Sequence, residues 1–242
     1  ADTFGSHHAR EAAFLGVLCI AFHDRVEGAR DCFDWLRTVL GGVWPVWSGN
    51  DGAWAEGPHY ASPYVGIVLD FALALRQATG TDLLARPFWK NYVQWRRWCV
   101  PLWGEWIGFG DGHKVATPGS VAGFANEIRR IAHFAGLPPS DAPCPRPYPA
   151  TAEELAAAGG SALVYLLAPE LAELPREASS MPPASAAASR VLRVFPEGGW
   201  AAVRTCLEDS ARDVALTFRS SPFGSVSHSH ADNNDFSLHL AG

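Results

Sequence analysis

The stretch Arg190-Val191-Leu192-Arg193-Val194-Phe195-Pro196-Glu197-Gly198-Gly199-Trp200-Ala201-Ala202-Val203-Arg204 is where this chain changes its period. Val191, Arg193 and Phe195 recur every second residue, and beyond Gly198-Gly199 so do Trp200, Ala202 and Arg204. That spacing places side chains on one face of a β-strand. The run Val214 to Arg219 is also strand-like, and Phe236, Leu238 and Leu240 alternate once more. Upstream, from Ser6 to about Glu170, the period is helical. Ala12, Leu15, Cys19 and Phe22 recur at helical spacing, as do Cys32, Leu36, Val39 and Leu40, then Val65, Leu69, Ala72 and Leu73, and then Ile128, Ile131 and Ala132. Leu155 and Leu163 to Leu167 continue the pattern, and Gly-, Pro- and Asp-rich connections separate the helices. The expected fold class is α+β in two domains. Residues 1–174 form an array of helical hairpins, 175–189 a linker with three prolines and few large apolar residues, and 190–242 the start of a β domain. So few strands cannot cover both faces of a sheet, so the β domain is expected to be completed by residues outside this chain.

Composition narrows the class. The 242 residues are 48% hydrophobic, enough for one large domain or somewhat more. A net charge of −6 argues against a nucleic-acid binder, for which a basic face is expected. The longest apolar stretches, such as Phe14 to Phe22, are too short to span a bilayer. Five cysteines at wide intervals with no CxxC spacing make neither a disulfide framework nor a zinc ribbon, and they read as buried or incidental thiols. Ten tryptophans and thirteen phenylalanines fill a core or line grooves where sugar rings stack.

Three segments far apart in sequence carry unusual polar content. In Ser225-Val226-Ser227-His228-Ser229-His230-Ala231-Asp232-Asn233-Asn234-Asp235-Phe236, two imidazoles stand at i and i+2 before an alternating run. On a strand both project to one face, and histidine is both the acid–base group of neutral pH and the commonest metal ligand. At Ser6-His7-His8-Ala9-Arg10-Glu11 a helix begins, pairing His7 with Arg10 and His8 with Glu11 at i,i+3. A histidine beside a guanidinium is disfavoured as a cation and tends to be neutral. In Gly49-Asn50-Asp51-Gly52-Ala53-Trp54-Ala55-Glu56-Gly57-Pro58-His59-Tyr60, running on to Tyr64, Trp54, Glu56 and Tyr60 cluster around glycines that let a backbone approach a ligand. The alternative for this segment is a structural turn whose Trp and Tyr are core. The loop Gly108 to Lys114, with Asp111 and His113, reads as wall rather than engine.

Taken in order, Ser-His-x-x-Arg-Glu, Asp-Gly-x-Trp-Ala-Glu-Gly-x-x-Tyr and Ser-His-x-His-Ala-Asp-x-Asn-x-Phe, these segments resemble the heparinase II/III-like polysaccharide lyases, including the heparinase II and oligoalginate lyase branches. The resemblance implies an incomplete (α/α) toroid followed by an antiparallel β-sandwich-like domain, and cleavage of uronate-containing glycans by β-elimination. It implies His7 as base, Tyr60 as acid or as combined base and acid, and His228 in support of the base or of substrate orientation. His8 competes with His7. Arg10 would support His7 or pair with the uronate carboxylate, and Glu11, Trp54, Glu56, Tyr64 and Asn233 would contact substrate. Heparinase II has a Glu where this chain has Arg10, which leans toward the alginate-lyase-like branch or an uncharacterised one. A zinc ion in the β domain is implied as well, with His230 at one ligand position and the other ligands beyond Gly242. The partner implied is an anionic polysaccharide or oligosaccharide, not nucleic acid or membrane, and the substrate class suggests a periplasmic or secreted setting. Two other readings stay open. One is a glycoside hydrolase on an (α/α) toroid, with Asp51 and Glu56 as its two carboxylic acids. The other is a non-catalytic glycan-binding protein that uses tryptophans as stacking platforms.

Overall fold

A computed structural model describes residues 6–42, 48–100, 109–111, 127–138, 151–157, 167, 170–171, 192–207, 212–225 and 227–240. The expected linker, residues 163–166 and the loop residues 112–114 lie outside these. The helices are α1 (Ser6–Ala21), α2 (Ala29–Gly42), α3 (Gly57–Thr79), α4 (Pro87–Cys99), α5 (127–134) and α6 (Ala152–Ala157), with a 3₁₀ turn at Leu83–Ala85. The strands β1 (Leu192–Phe195), β2 (Trp200–Arg204), β3 (Val214–Arg219) and β4 (Asp235–Leu240) form one antiparallel sheet in the order β1-β2-β3-β4. The protein is therefore mixed α+β, helices first and sheet after. Among the described residues no helix is long and apolar enough to cross a membrane.

Helix α3 is the centre of the helical part. Its 23 residues open on Gly57-Pro58, where a proline in the first turn gives up no needed hydrogen bond. It ends at Gly80, whose left-handed φ of +75° returns its N–H to the Arg76 carbonyl. Tyr64, Val65, Val68, Leu69, Phe71, Ala72, Leu73 and Leu75 are all buried, on more than one side of the helix. Helix α1 packs along α3, with α2 against α1. His7 meets Tyr60 near the start of both helices, and Gly16 meets Phe71 further on, so α1 and α3 run in the same direction.

The face of α1 turned inward differs from the expected one. Ala9, Ala13, Gly16 and Cys19 are buried, whereas Leu15 and Phe22 join Phe14 and Leu18 on the exposed side. Small residues let the helix axes approach closely, and Gly16 has no room for more, since a Cβ there would stand 2.5 Å from the Phe71 ring. The Cys19 thiol is hydrogen-bonded to that of Cys32 of α2, and burial with that neighbour pushes it up to about 11. Both cysteines are free thiols.

Helices α3, α4 and α5 share a buried polar knot. Glu127 accepts from Tyr92 Oη at 2.7 Å and from Ser62 Oγ, and burial raises its carboxyl above the ordinary range while Arg96 and Arg130 pull it back. Arg96 also donates to the Pro58 carbonyl at 2.6 Å, holding the first turn of α3.

Period two identified the strands, but not the face they bury. Trp200, Ala202 and Arg204 of β2 and Ala215, Thr217 and Arg219 of β3 face the helices. The register sets Leu192 across from Val203, Val203 from Leu216, Leu216 from Leu238, and Phe218 from Phe236. This second face is apolar, and Leu192, Val194, Phe218, Phe236, Leu238 and Leu240 are exposed on it. The inner face reaches α4 through its C-terminal carbonyls. Arg204 Nη1 donates to the carbonyls of Arg97 (2.8 Å) and Trp98 (3.1 Å), and Thr217 Oγ1 donates to that of Cys99 (3.3 Å). Cationic and hydroxyl donors are what a helix C-terminus lacks.

The close approach of α1 to α3 gives a direct stability test. Gly16→Val is expected to lower unfolding free energy by about 1–3 kcal/mol through overpacking. Gly41→Ala, where the nearest atom to an added Cβ is 4.0 Å away, should be neutral or stabilising. Chemical denaturation of both variants reads the difference.

Candidate active site

Three elements deliver three rings to one place. His7 comes from the first turn of α1, Tyr60 from the first turn of α3, and His228 from the loop between β3 and β4. Tyr60 and His228 stack with centroids 3.6 Å apart and planes 8° from parallel. His7 lies 4.9 Å from His228 and 6.1 Å from Tyr60. His7 is exposed, and Tyr60 and His228 are half-buried, so the cluster is open to a ligand. His59 meets the Tyr60 ring edge-on at 5.4 Å. The N-terminal ends of α1 and α3 both lie here, and helix N-termini favour negative charge.

His228 and His230 do not sit on a strand, as β4 begins only at Asp235. They occupy a turn in which Ser227 takes a left-handed φ of +52°. Their rings still converge because Asp111 receives both. His228 Nδ1 lies 2.8 Å from Asp111 Oδ2, and His230 Nε2 bonds Oδ1. These two hydrogen bonds hold the Asp111 carboxyl below the usual range. The same short loop grips the main chain, since the Asp111 N–H donates to the His228 carbonyl at 3.1 Å and the Gly110 N–H to Asp232 at 3.2 Å. Gly110, at φ +72°, is wedged where a Cβ would strike the Glu56 carbonyl and stand 3.0 Å from that of His228.

Arg219 ties this loop to the start of α3. It is fully buried on β3 and donates to the Ala55 carbonyl (2.9 Å), Ser229 Oγ (2.6 Å) and the His230 carbonyl (3.2 Å), with Asp232 at 3.8 Å. A second tie comes from Asp51, whose carboxylate accepts the N–H groups of Ala53 (3.1 Å), Glu197 (2.7 Å) and Gly198 (3.0 Å), joining the 49–57 loop to the β1–β2 turn.

The remaining expected site residues divide. Arg10 Nη2 bonds His7 Nδ1 at 2.8 Å and so belongs to the cluster. His8 and Glu11 are exposed on α1, and neither ring contact to Tyr60 nor to His228 involves His8. Asn233 is exposed, with Oδ1 accepting the Ser221 N–H at 2.9 Å. Trp54, Glu56 and Tyr64 are 0%, 1% and 0% exposed, so they form the floor behind the site and offer no surface to substrate. Trp54 Nε1 donates to Glu56 at 3.0 Å, and its ring packs on Tyr64 at 4.6 Å. The physical reason is that the glycines of this segment admit other backbone: Gly52 lies against Asn91 and Tyr92, and Gly57 against Phe109.

His230 is half-exposed between Asp111 and Asp232. Among the described residues no group of three or more His, Cys, Asp and Glu is arranged to hold a metal ion. Asp111 and Arg219 are the contributors that sequence patterning missed as site residues. Arg219 left a usable signal, a cation in phase with Ala215 and Thr217 on a buried strand face; Asp111 left none beyond its polar loop.

Compared with models of known protein families the chain matches none, and no curated protein matches it significantly.

Arg219→Met is expected to cost roughly 1–3 kcal/mol for each buried acceptor left unpaired. Beyond that loss, the variant should broaden or shift the His228 ring resonances in NMR spectra under conditions where the protein remains folded.

Proposed function

We propose that this protein is a polysaccharide lyase of the heparinase II/III-like kind, cutting uronate-containing glycans by β-elimination and leaving a 4,5-unsaturated uronate end. On this reading the helices belong to an incomplete (α/α) toroid and the sheet to a β-sandwich domain. The observation that carries the proposal is the meeting of His7, Tyr60 and His228 from three distant segments.

β-Elimination asks three things of a site. The C5 hydrogen beside a carboxylate is very weakly acidic, so the carboxylate charge must be neutralised, C5 deprotonated and the leaving O4 protonated. Arg10, held by His7 beside two helix N-termini, supplies positive potential for the carboxylate. An imidazole takes the C5 proton, its electron pair forms the C4–C5 double bond, the C4–O4 bond breaks, and the Tyr60 hydroxyl protonates O4. The Tyr60 hydroxyl has no hydrogen bond to another described residue that would compete for this task.

A retaining or inverting hydrolase would need two available carboxylic acids flanking the bond. Asp51 is committed to three backbone N–H groups, and Glu56 is buried against Trp54. A glycan-binding protein using tryptophan platforms would need exposed indoles near the cluster; among the described residues Trp54, Trp89, Trp95 and Trp200 are fully buried, and the exposed Trp35 on α2 has no ring contact with His7, Tyr60 or His228. Both observations favour the lyase.

The test incubates the protein separately with alginate, heparin, heparan sulfate, hyaluronan and chondroitin, and follows the ultraviolet absorbance of the unsaturated uronate. A signal on one polymer, reduced about 10²–10⁴-fold in Tyr60→Phe and in His228→Ala, is expected. New reducing ends without that chromophore would replace elimination by hydrolysis.

A further inference from the structure

The two histidines of the cluster have Nδ1 partners of opposite kind. His7 Nδ1 faces Arg10 Nη2 at 2.8 Å. A guanidinium has donors and no acceptor, so Nδ1 accepts, and the proton of the neutral ring is on Nε2. His228 Nδ1 faces Asp111 Oδ2 at 2.8 Å. An aspartate carboxylate has acceptor oxygens and no donor. His228 Nδ1 therefore donates, and the lone pair of the neutral ring is on Nε2. Neither Nε2 is hydrogen-bonded to another described residue. A donor and an acceptor thus stand side by side, their ring centroids 4.9 Å apart.

We propose that Asp111 is the positioning residue that makes His228 the proton acceptor of the site, while Arg10 holds His7 beside it as a hydrogen-bond donor. This division of labour rests on the lyase reading and replaces the expectation of His7 as base. With Nδ1 engaged by Arg10, a neutral His7 has no lone pair left for a C5 proton, and its Nε2–H is suited to the uronate carboxylate, where negative charge builds as C5 is deprotonated. His228 Nε2 takes the C5 proton, and Asp111 stabilises the imidazolium that results, as the carboxylate of a Ser-His-Asp triad does for its histidine. The C5–H pair becomes the double bond, O4 leaves with the Tyr60 proton, and a net transfer from His228 to the Tyr60 phenolate restores both groups. The stacked rings of His228 and Tyr60 keep that donor and acceptor adjacent. Asp111 is suited to a positioning role because its loop fixes both the ring and the carbonyl of His228.

The test has two arms on the intact protein. Two-bond ¹⁵N–¹H correlation spectra, assigned with His7→Gln and His228→Gln, read the tautomers directly. Expected are Nδ1–H for His228 and Nε2–H for His7, with Asp111→Asn abolishing the His228 preference while the backbone spectrum remains folded. In the kinetic arm, Asp111→Asn is expected to lower kcat about 10²-fold or more with little change in KM, and Asp111→Glu to recover part of it. A wild-type His228 protonated on Nε2, or an Asp111→Asn variant with unchanged tautomer or with kcat within about twofold of wild type, overturns the proposal. Expected tautomers in a protein that eliminates none of the five polymers would sink the lyase reading while leaving the assignment of Asp111 and Arg10 to their histidines in place.

Discussion

The arrangement depends on one buried guanidinium. Arg219 leaves β3 on the face turned to the helices and has no access to water. A cation in that position needs hydrogen bonds to offset its lost hydration, and burial already weakens its hold on the proton, with Asp232 opposing the loss. Its two Nη groups donate to the Ala55 carbonyl, two residues before α3, and to Ser229 and His230, which directly follow His228. Satisfying Arg219 therefore positions the start of α3, with Tyr60, relative to the loop that carries His228. An apolar side chain at 219 could fill the volume but would impose no such relation.

The same logic recurs along the seam between helices and sheet. Arg204 pairs with Asp213 and donates to the last carbonyls of α4, Thr217 adds a third donor, and Asp51 gathers backbone N–H groups from both sides. Aromatic packing fills the space between, with Trp200 edge-on to both Trp95 and Phe109. Apolar contact drives the two parts together without specifying a register, whereas directional hydrogen bonds to buried groups penalise sliding. A cleft whose groups must meet within a few ångströms needs that second kind of restraint.

At the cluster, chemistry follows from what each ring nitrogen faces. A guanidinium and a carboxylate, each on Nδ1 of a neighbouring histidine, give two like side chains unlike capacities. Among the described residues, Trp54, Trp89, Trp95 and Trp200 are all buried in the core. The sugar-stacking role that their number suggested has no support among them, and the acidic pair Asp51 and Glu56 is likewise absorbed into structure.

Much of this was legible in the chain alone. The change from helical to alternating period placed α1, α2, α3, α5 and all four strands but gave no separate signal for α4, because period is a local property of backbone geometry. The residue types at His7, Tyr60 and His228 marked three segments as chemical, because imidazole and phenol at turns and helix starts are rarely needed for packing. Periodicity could not say which face of α1 or of the sheet is buried. On α1 the small residues won, since close approach to α3 mattered more than hydrophobicity, and on β4 Phe236, Leu238 and Leu240 point away from the helices. Nor could it set Trp54 and Tyr64 behind the site and Tyr60 in it, since all three share one segment and only the surrounding backbone separates them. Asp111 is the sharpest case. Its proximity to His228 spans more than a hundred positions, and such a contact exists only once Arg219, Asp51 and the glycines at 57 and 110 have brought the distant segments together.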